Sequence, residues 1–167
     1  RGGAAFTARL RRATNVSLRS SSRLTTVTPD MLSDVIWWLD ALATHPPGSR
    51  IILSTDHVSL VTVKSDSAGD MGWGYVFADR LHFCTMLDST VTSYHIQWKE
   101  MLALVHCAAE YGPLLSHRIV RFGVDNSSVV YAVLRGRSRC LRLQHLLRLL
   151  AHSQRRHTFD VLAVHVT

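Results

Sequence analysis

Three carboxylates stand where acids can do chemistry: Asp66, Glu100 and Asp125. Asp66 lies in Ser65-Asp66-Ser67-Ala68-Gly69, where a strand rich in Val and Thr gives way to a loop. Glu100 lies in a stretch of helical period and shares a face with Ile96, Ala103, Leu104 and Cys107. Burying a carboxylate on that apolar face is costly without a partner, and a metal ion or a basic side chain would serve. Asp125 closes the alternating run at 120–124, a strand end of the kind where open α/β sheets bind ligands. Each acid also has a plain structural role open to it. Asp66 suits a turn, Glu100 a helix boundary reaching water, and Asp125 a helix cap before Asn126-Ser127. Together they say more, because two strand-end Asp and one inward-facing Glu can converge. Oxygen-only ligands select hard cations such as Mg²⁺ or Mn²⁺. Clustered carboxylates repel, so such a cluster needs cations or holds a proton. Two ions about 4 Å apart would clamp the attacking and leaving oxygens of a phosphodiester.

The elements that must position these acids follow from period and punctuation. Residues 1–27 are basic and rich in Ser, Thr and Ala, with weak periodicity; Phe6, Leu10 and Val16 are candidate anchors, and little order is expected. Thr28-Pro29-Asp30 reads as a helix start, with Thr as cap, Pro at the first helical position and Asp at the positive end. Met31, Val35, Trp38, Leu39 and Leu42 then keep helical spacing, and His45-Pro46-Pro47-Gly48 reads as a linker. Strands are expected at 51–53, 58–65, 72–78 and 81–86, with a turn at Asp79-Arg80. A helix over 94–111 ends at Gly112-Pro113, and a strand follows at 118–124. A short helix at 127–134 is broken by Gly136, a long amphipathic helix covers 140–154, and a last strand covers 161–166. After residue 57 the order is three strands, a helix, a strand, two helices and a strand. That order implies a mixed sheet with helices packed on its faces.

The chain's 167 residues suit one domain, and 47% apolar with 19% charged residues is enough to bury a core. This excludes a disordered chain, a collagen-like repeat and a disulfide miniprotein. No apolar run approaches the ~18 residues of a membrane span. Residues 1–25 lack the apolar core of a signal peptide. With Arg1 first, the sequence reads as a slice of a longer protein. The net charge of +7 is unevenly spread: residues 1–29 carry six Arg and no acid, residues 30–125 are net −5, and residues 126–167 carry seven Arg and one acid. Arg outnumbers Lys 17 to two, which suits forked contacts to phosphate and a nucleic-acid partner. Cys84, Cys107 and Cys140 are odd in number and widely spaced, as expected of free thiols in a reducing compartment. Cys140, His145, His152 and His157 lie close in sequence, but their spacing matches no standard zinc site.

Several stretches resemble a known family. They are the run Ser65-Asp66-Ser67-Ala68-Gly69-Asp70-Met71-Gly72-Trp73-Gly74, then His95-Ile96-Gln97-Trp98-Lys99-Glu100, then Phe122-Gly123-Val124-Asp125-Asn126-Ser127-Ser128-Val129-Val130, and the tail Phe159-Asp160-Val161-Leu162-Ala163-Val164-His165-Val166. Their order resembles the ribonuclease H fold. Their wording resembles the RNase H domain of retrotransposon reverse transcriptases, and most of all the DIRS-type (tyrosine-recombinase) elements. Asp30 to Leu39 resembles the helix that links the polymerase thumb to RNase H in those proteins. The resemblance covers roughly residues 30–167 and is weaker over 1–29. It implies an α/β fold: a ribonuclease H-like mixed five-stranded sheet with flanking helices, preceded by a short helical segment. It divides the chain into a basic segment and connection helix at 1–50 and an RNase H-like domain at 51–167.

The resemblance further implies Asp66, Glu100 and Asp125 as catalytic metal ligands for Mg²⁺ or Mn²⁺, as two ions. Gly72, Trp73 and Gly74 become scaffold of the second strand. Asn126 and Ser127 cap the next helix and approach the hybrid backbone, while Arg135, Arg137, Arg139 and Arg142 grip a strand. In the family the last strand is followed by a loop and a helix with a fourth acid. This chain stops at Thr167, and Asp160, before the strand, cannot replace that acid. A C-terminally truncated domain without its last helix is therefore expected. The implied activity is metal-dependent endonucleolytic cleavage of the RNA strand of RNA–DNA hybrids. The implied partners are the hybrid and the polymerase domain of the same polyprotein, with no membrane, in the cytoplasm or nucleus. The alternatives are a noncatalytic nucleic-acid-binding or connection module of a decayed or truncated element, and another nuclease of the same superfold, such as an integrase-like transferase. Arg155 and Arg156 are expected to cap the long helix at its negative end.

Overall fold

The computed structural model describes residues 3–19, 24–44, 60–68, 72–77, 80–85 and 93–166. Two helices come first, α1 (Gly3–Arg19) and α2 (Pro29–Thr44). Three strands follow: β1 (Leu60–Ala68), β2 (Gly72–Phe77) and β3 (Arg80–Thr85). Next come α3 (Ile96–Glu110), a 3₁₀ turn (Gly112–Leu115) and β4 (Ile119–Val124). The chain then runs through α4 (Ser127–Arg135), α5 (Leu141–His157) and β5 (Asp160–His165). The strand expected at 51–53, the linker at His45-Pro46-Pro47-Gly48, the domain boundary at residue 50 and the turn residue Asp79 lie outside the described residues.

The strands form one mixed sheet in the order β3-β2-β1-β4-β5. The central strand β1 is antiparallel to β2 and parallel to β4, and β4 is parallel to β5. Side chains alternate across β1: Val63, Ser65 and Ser67 are buried, while Thr62, Lys64 and Asp66 are exposed. Val63, Tyr75, Phe77, Val120, Phe122, Val124, Val161 and Ala163 belong to one core cluster with apolar residues of α1, α3, α4 and α5. Helix α3 packs on β1, β2 and α5, and α4 packs on β5. On the opposite face, Thr62, Lys64, Asp66, Val76, Arg121 and Leu162 are exposed. Helices were expected on both faces; at these described positions that face is open.

Local chemistry sets several helix ends. Thr28 Oγ1 accepts from the Met31 amide at 3.2 Å, with Pro29 as the first helical residue, as the sequence implies. Helix α4 ends at Gly136, whose φ of 62° is left-handed and costs least for glycine; its N–H reaches the carbonyls of Ala132 and Val133.

The N-terminal segment departs from the sequence reading, because residues 3–19 form a helix. The cause is tertiary. Phe6 is 2% exposed and stacks on Trp37 with ring centroids 4.0 Å apart. The Arg148 guanidinium lies 5.6 Å from the Phe6 ring, and that of Arg155 lies 5.7 Å from the Trp37 ring. Arg148 also pairs with Asp34 of α2 at 2.6 Å, both residues being buried, while Arg9 reaches Asp30 at 3.0 Å. Burial pushes the Asp34 carboxyl up, and Arg148 and then Arg9 pull it back. Gln144 of α5 donates to the Ala5 carbonyl at 2.7 Å and accepts from the Ser138 amide at 2.8 Å. Of the three candidate anchors, Phe6 is buried, Leu10 is half-buried and Val16 is exposed. Arg155 does not act as a helix cap. It pairs with Asp40 at 2.6 Å and donates to Thr44 at 2.7 Å, tying α5 to α2.

Candidate active site

Asp66 lies inside β1, opposite Gly74 of β2, not after the end of the strand as its sequence context implies. Pairing explains the extension, since Gly72 and Gly74 stand opposite Ala68 and Asp66 and continue the ladder past the expected end. The Asp66 side chain is exposed on the open face, and its Oδ1 accepts from the Ser67 amide at 2.7 Å. The parallel ladder to β4 pairs Lys64 with Gly123. Two residues further along each strand come Asp66 and Asp125, so both acids stand at the same end of neighbouring parallel strands.

Asp125 is exposed in the bend between β4 and α4. It is not the helix cap. Asn126 takes that place, its Oδ1 accepting from the Ser128 amide at 3.0 Å. Ser127 is the first residue of α4 and is exposed.

Glu100 comes from the first turns of α3 and is 3% exposed. Its face neighbours Ala103, Leu104 and Cys107 are fully buried, as the helical spacing requires. Its Oε2 is buried with no hydrogen-bond partner. The carboxyl is pushed up to about 7, chiefly by burial and then by the charge of Asp125, with a smaller push from Asp66. A hydrogen bond from the Asn126 side chain opposes this by favouring the charged form, while hydrogen bonding with Asp125 favours a shared proton. Glu100 thus feels the charge of both other acids. Among the described residues, however, no group of three His, Cys, Asp or Glu side chains is placed to hold a metal ion. The Asp66 carboxylate is turned to its own chain by the Ser67 amide. The Cys140, His145, His152 and His157 set also forms no such group.

The arginines divide. Arg135, Arg137 and Arg139 are exposed around the α4–α5 turn and line one wall of a groove of about 1400 Å³. Arg142 stands apart, its guanidinium 4.1 Å from the ring of Tyr94, which meets Trp98 edge-on at 4.6 Å. The groove's other wall is α1, with Arg11, Arg12 and Arg19. None of these three is among the binding residues expected from the sequence. Their spacing held the clue: Ala8, Arg12, Asn15 and Arg19 recur at helical intervals, without the apolar stripe that would have marked a helix.

No known family profile matches the chain, and no curated protein matches it. Among solved structures, the chain is similar to the RNase H1 of the halophilic archaeon Halobacterium salinarum NRC-1. The identity is 17%, the match covers 65% of this chain and 86% of that one, and the TM-score is 0.46. So distant a likeness carries no functional weight.

Proposed function

We propose that the chain is a metal-dependent endonuclease domain that hydrolyses the RNA strand of RNA–DNA hybrids, as part of a DIRS-type retroelement reverse transcriptase. One observation carries this reading. A buried Glu100 with an unpartnered oxygen lies within electrostatic reach of two acids at the same end of neighbouring parallel strands. The element order after residue 60 is the order on which the resemblance to ribonuclease H rests.

The donors fit a hard divalent cation in kind: all are carboxylate oxygens, and a cation relieves the repulsion from Asp125 and Asp66 that adds to burial in lifting Glu100. Mg²⁺ or Mn²⁺ held there, as two ions, would supply an activated water and neutralise charge on the phosphodiester. Glu100 and Asp125 would hold the metal, and Asp66 would join them on releasing the Ser67 amide. Asn126 steadies the charged form of Glu100 through its side-chain hydrogen bond. The exposed Ser127 at the start of α4 and the arginines of the α4–α5 turn would meet the nucleic-acid backbone, which carries shape and charge but no sequence. The polymerase domain of the same polyprotein would be the partner, in the cytoplasm or nucleus. Among the described residues no helix is long and apolar enough to cross a membrane.

A noncatalytic hybrid-binding module is the second reading. The lack of a three-ligand metal grouping among the described residues favours it. An end-labelled RNA–DNA hybrid separates the two, incubated with Mg²⁺ or Mn²⁺ beside single-stranded RNA and duplex DNA. Hybrid-specific, metal-dependent cleavage that is lost in Asp125→Asn and Glu100→Gln supports the enzyme. Binding without cleavage supports the module.

A further inference from the structure

We propose that α1 is a nucleic-acid-binding element, forming with the α4–α5 turn a two-walled groove for the phosphate backbone. The inference rests on the proposed function for the identity of the ligand and extends it to a segment outside the candidate active site. Arg11, Arg12 and Arg19 of α1 face Arg135, Arg137 and Arg139 across the groove of about 1400 Å³, and among the described residues no acidic side chain lines it. All six are exposed, and among the described residues none pairs with a carboxylate. Like charges face one another here without compensation among the described residues, an arrangement that a polyanion relieves. The guanidinium fork suits phosphate oxygens, two at a time.

The walls are held at a fixed spacing. Gln144, 5% exposed, bridges them: its Nε2 donates to the Ala5 carbonyl in α1, and its Oε1 accepts from the Ser138 amide between Arg137 and Arg139. A buried side chain that bonds one wall with each end makes the groove a built feature instead of two loose basic patches. Position supports a single ligand for groove and acids. Helix α4 leads from Asn126 beside Asp125 to Arg135 at the groove, nine residues or about 14 Å. That distance corresponds to about four base pairs of duplex rise. A hybrid lying over the acids would therefore meet the groove without bending far.

The test is the salt dependence of binding. A fluorescein-labelled 20-base-pair RNA–DNA hybrid is titrated by anisotropy with wild-type chain between 50 and 300 mM KCl, in EDTA so that no cleavage intervenes. The triple variant Arg11→Gln, Arg12→Gln, Arg19→Gln keeps helix propensity and touches no buried contact; its thermal midpoint should match wild type. The expected result is a salt slope shallower by about two to three and an affinity about 100-fold weaker at 100 mM KCl. The variant Arg135→Gln, Arg137→Gln, Arg139→Gln should behave alike, and the sixfold variant should lose less than the sum of the two. Slope and affinity unchanged in the α1 variant would overturn the proposal. So would equal, α1-dependent binding of poly-glutamate, which would make the ligand an acidic protein. The catalytic reading fails separately: absence of cleavage with an intact α1-dependent slope removes the nuclease and leaves the groove.

Discussion

Replacing Glu100 by Gln should stabilise the fold at neutral pH and remove a pH dependence expected of the wild type. Glu100 is 3% exposed, and its carboxyl moves from an ordinary 4.5 up to about 7, through burial first and Asp125 second. Between those values the folded chain holds a proton that the unfolded chain has released. An acid raised in this way imposes no penalty below pH 4.5, and its penalty grows as the pH climbs to 7. At about 1.4 kcal/mol per pH unit, the full penalty above pH 7 is about 3 kcal/mol. Urea unfolding followed by Trp fluorescence from pH 4 to 9 measures it as the stability of Glu100→Gln minus that of wild type. Referred to its value at pH 4, that difference should rise through the window to about 3 kcal/mol and then stay level. Asp34, also raised by burial, is common to both proteins and cancels. With a cation held by Glu100 and Asp125, millimolar Mg²⁺ should restore part of the wild-type loss and leave the variant unmoved. A difference that is flat across the window, or that shrinks as the pH rises, would refute the reasoning.

Two further predictions concern packing. Arg148→Met leaves Asp34, 1% exposed, without its 2.6 Å partner and should cost about 3–5 kcal/mol in urea unfolding. Adding Asp34→Leu should recover most of that loss. Gly112 has no room for a side chain: a Cβ there would lie 2.2 Å from the His157 ring. Gly112→Ala should therefore cost about 1–3 kcal/mol, and His157→Ala in the same chain should restore the urea midpoint.

The parts of this molecule legible in the sequence are those governed by local period and punctuation. Helix α3 shows its buried face in Ala103, Leu104 and Cys107, α5 in Leu143, Leu146, Leu147 and Leu150, and the Thr28-Pro29 start of α2 is capped as read. What stayed hidden depends on contacts between distant residues. Helix α1 buries only Ala5 and Phe6, too few to set a period, and it is held by Trp37, Gln144 and Arg148 from elsewhere in the chain. Asp66 reads as a loop residue because nothing local shows that Gly74 extends its strand. Asp125 and Asn126 are equally good caps on paper, and the turn geometry chooses Asn126. The arginine groove joins two segments more than a hundred residues apart, so neither segment announces it alone.

The seating of α1 on α5 bears on how this chain can be cut for study. Ala5 and Phe6 share one core with Leu147, Leu150 and Ala151. A fragment starting at residue 51 would uncover that apolar floor and strand the Arg148 guanidinium in a hollow whose counter-ion had been deleted. It would also discard half of the cationic groove. Such a fragment should associate with itself through the bared surface, and a weak assay result from it would report damaged packing, not the chemistry of the acids.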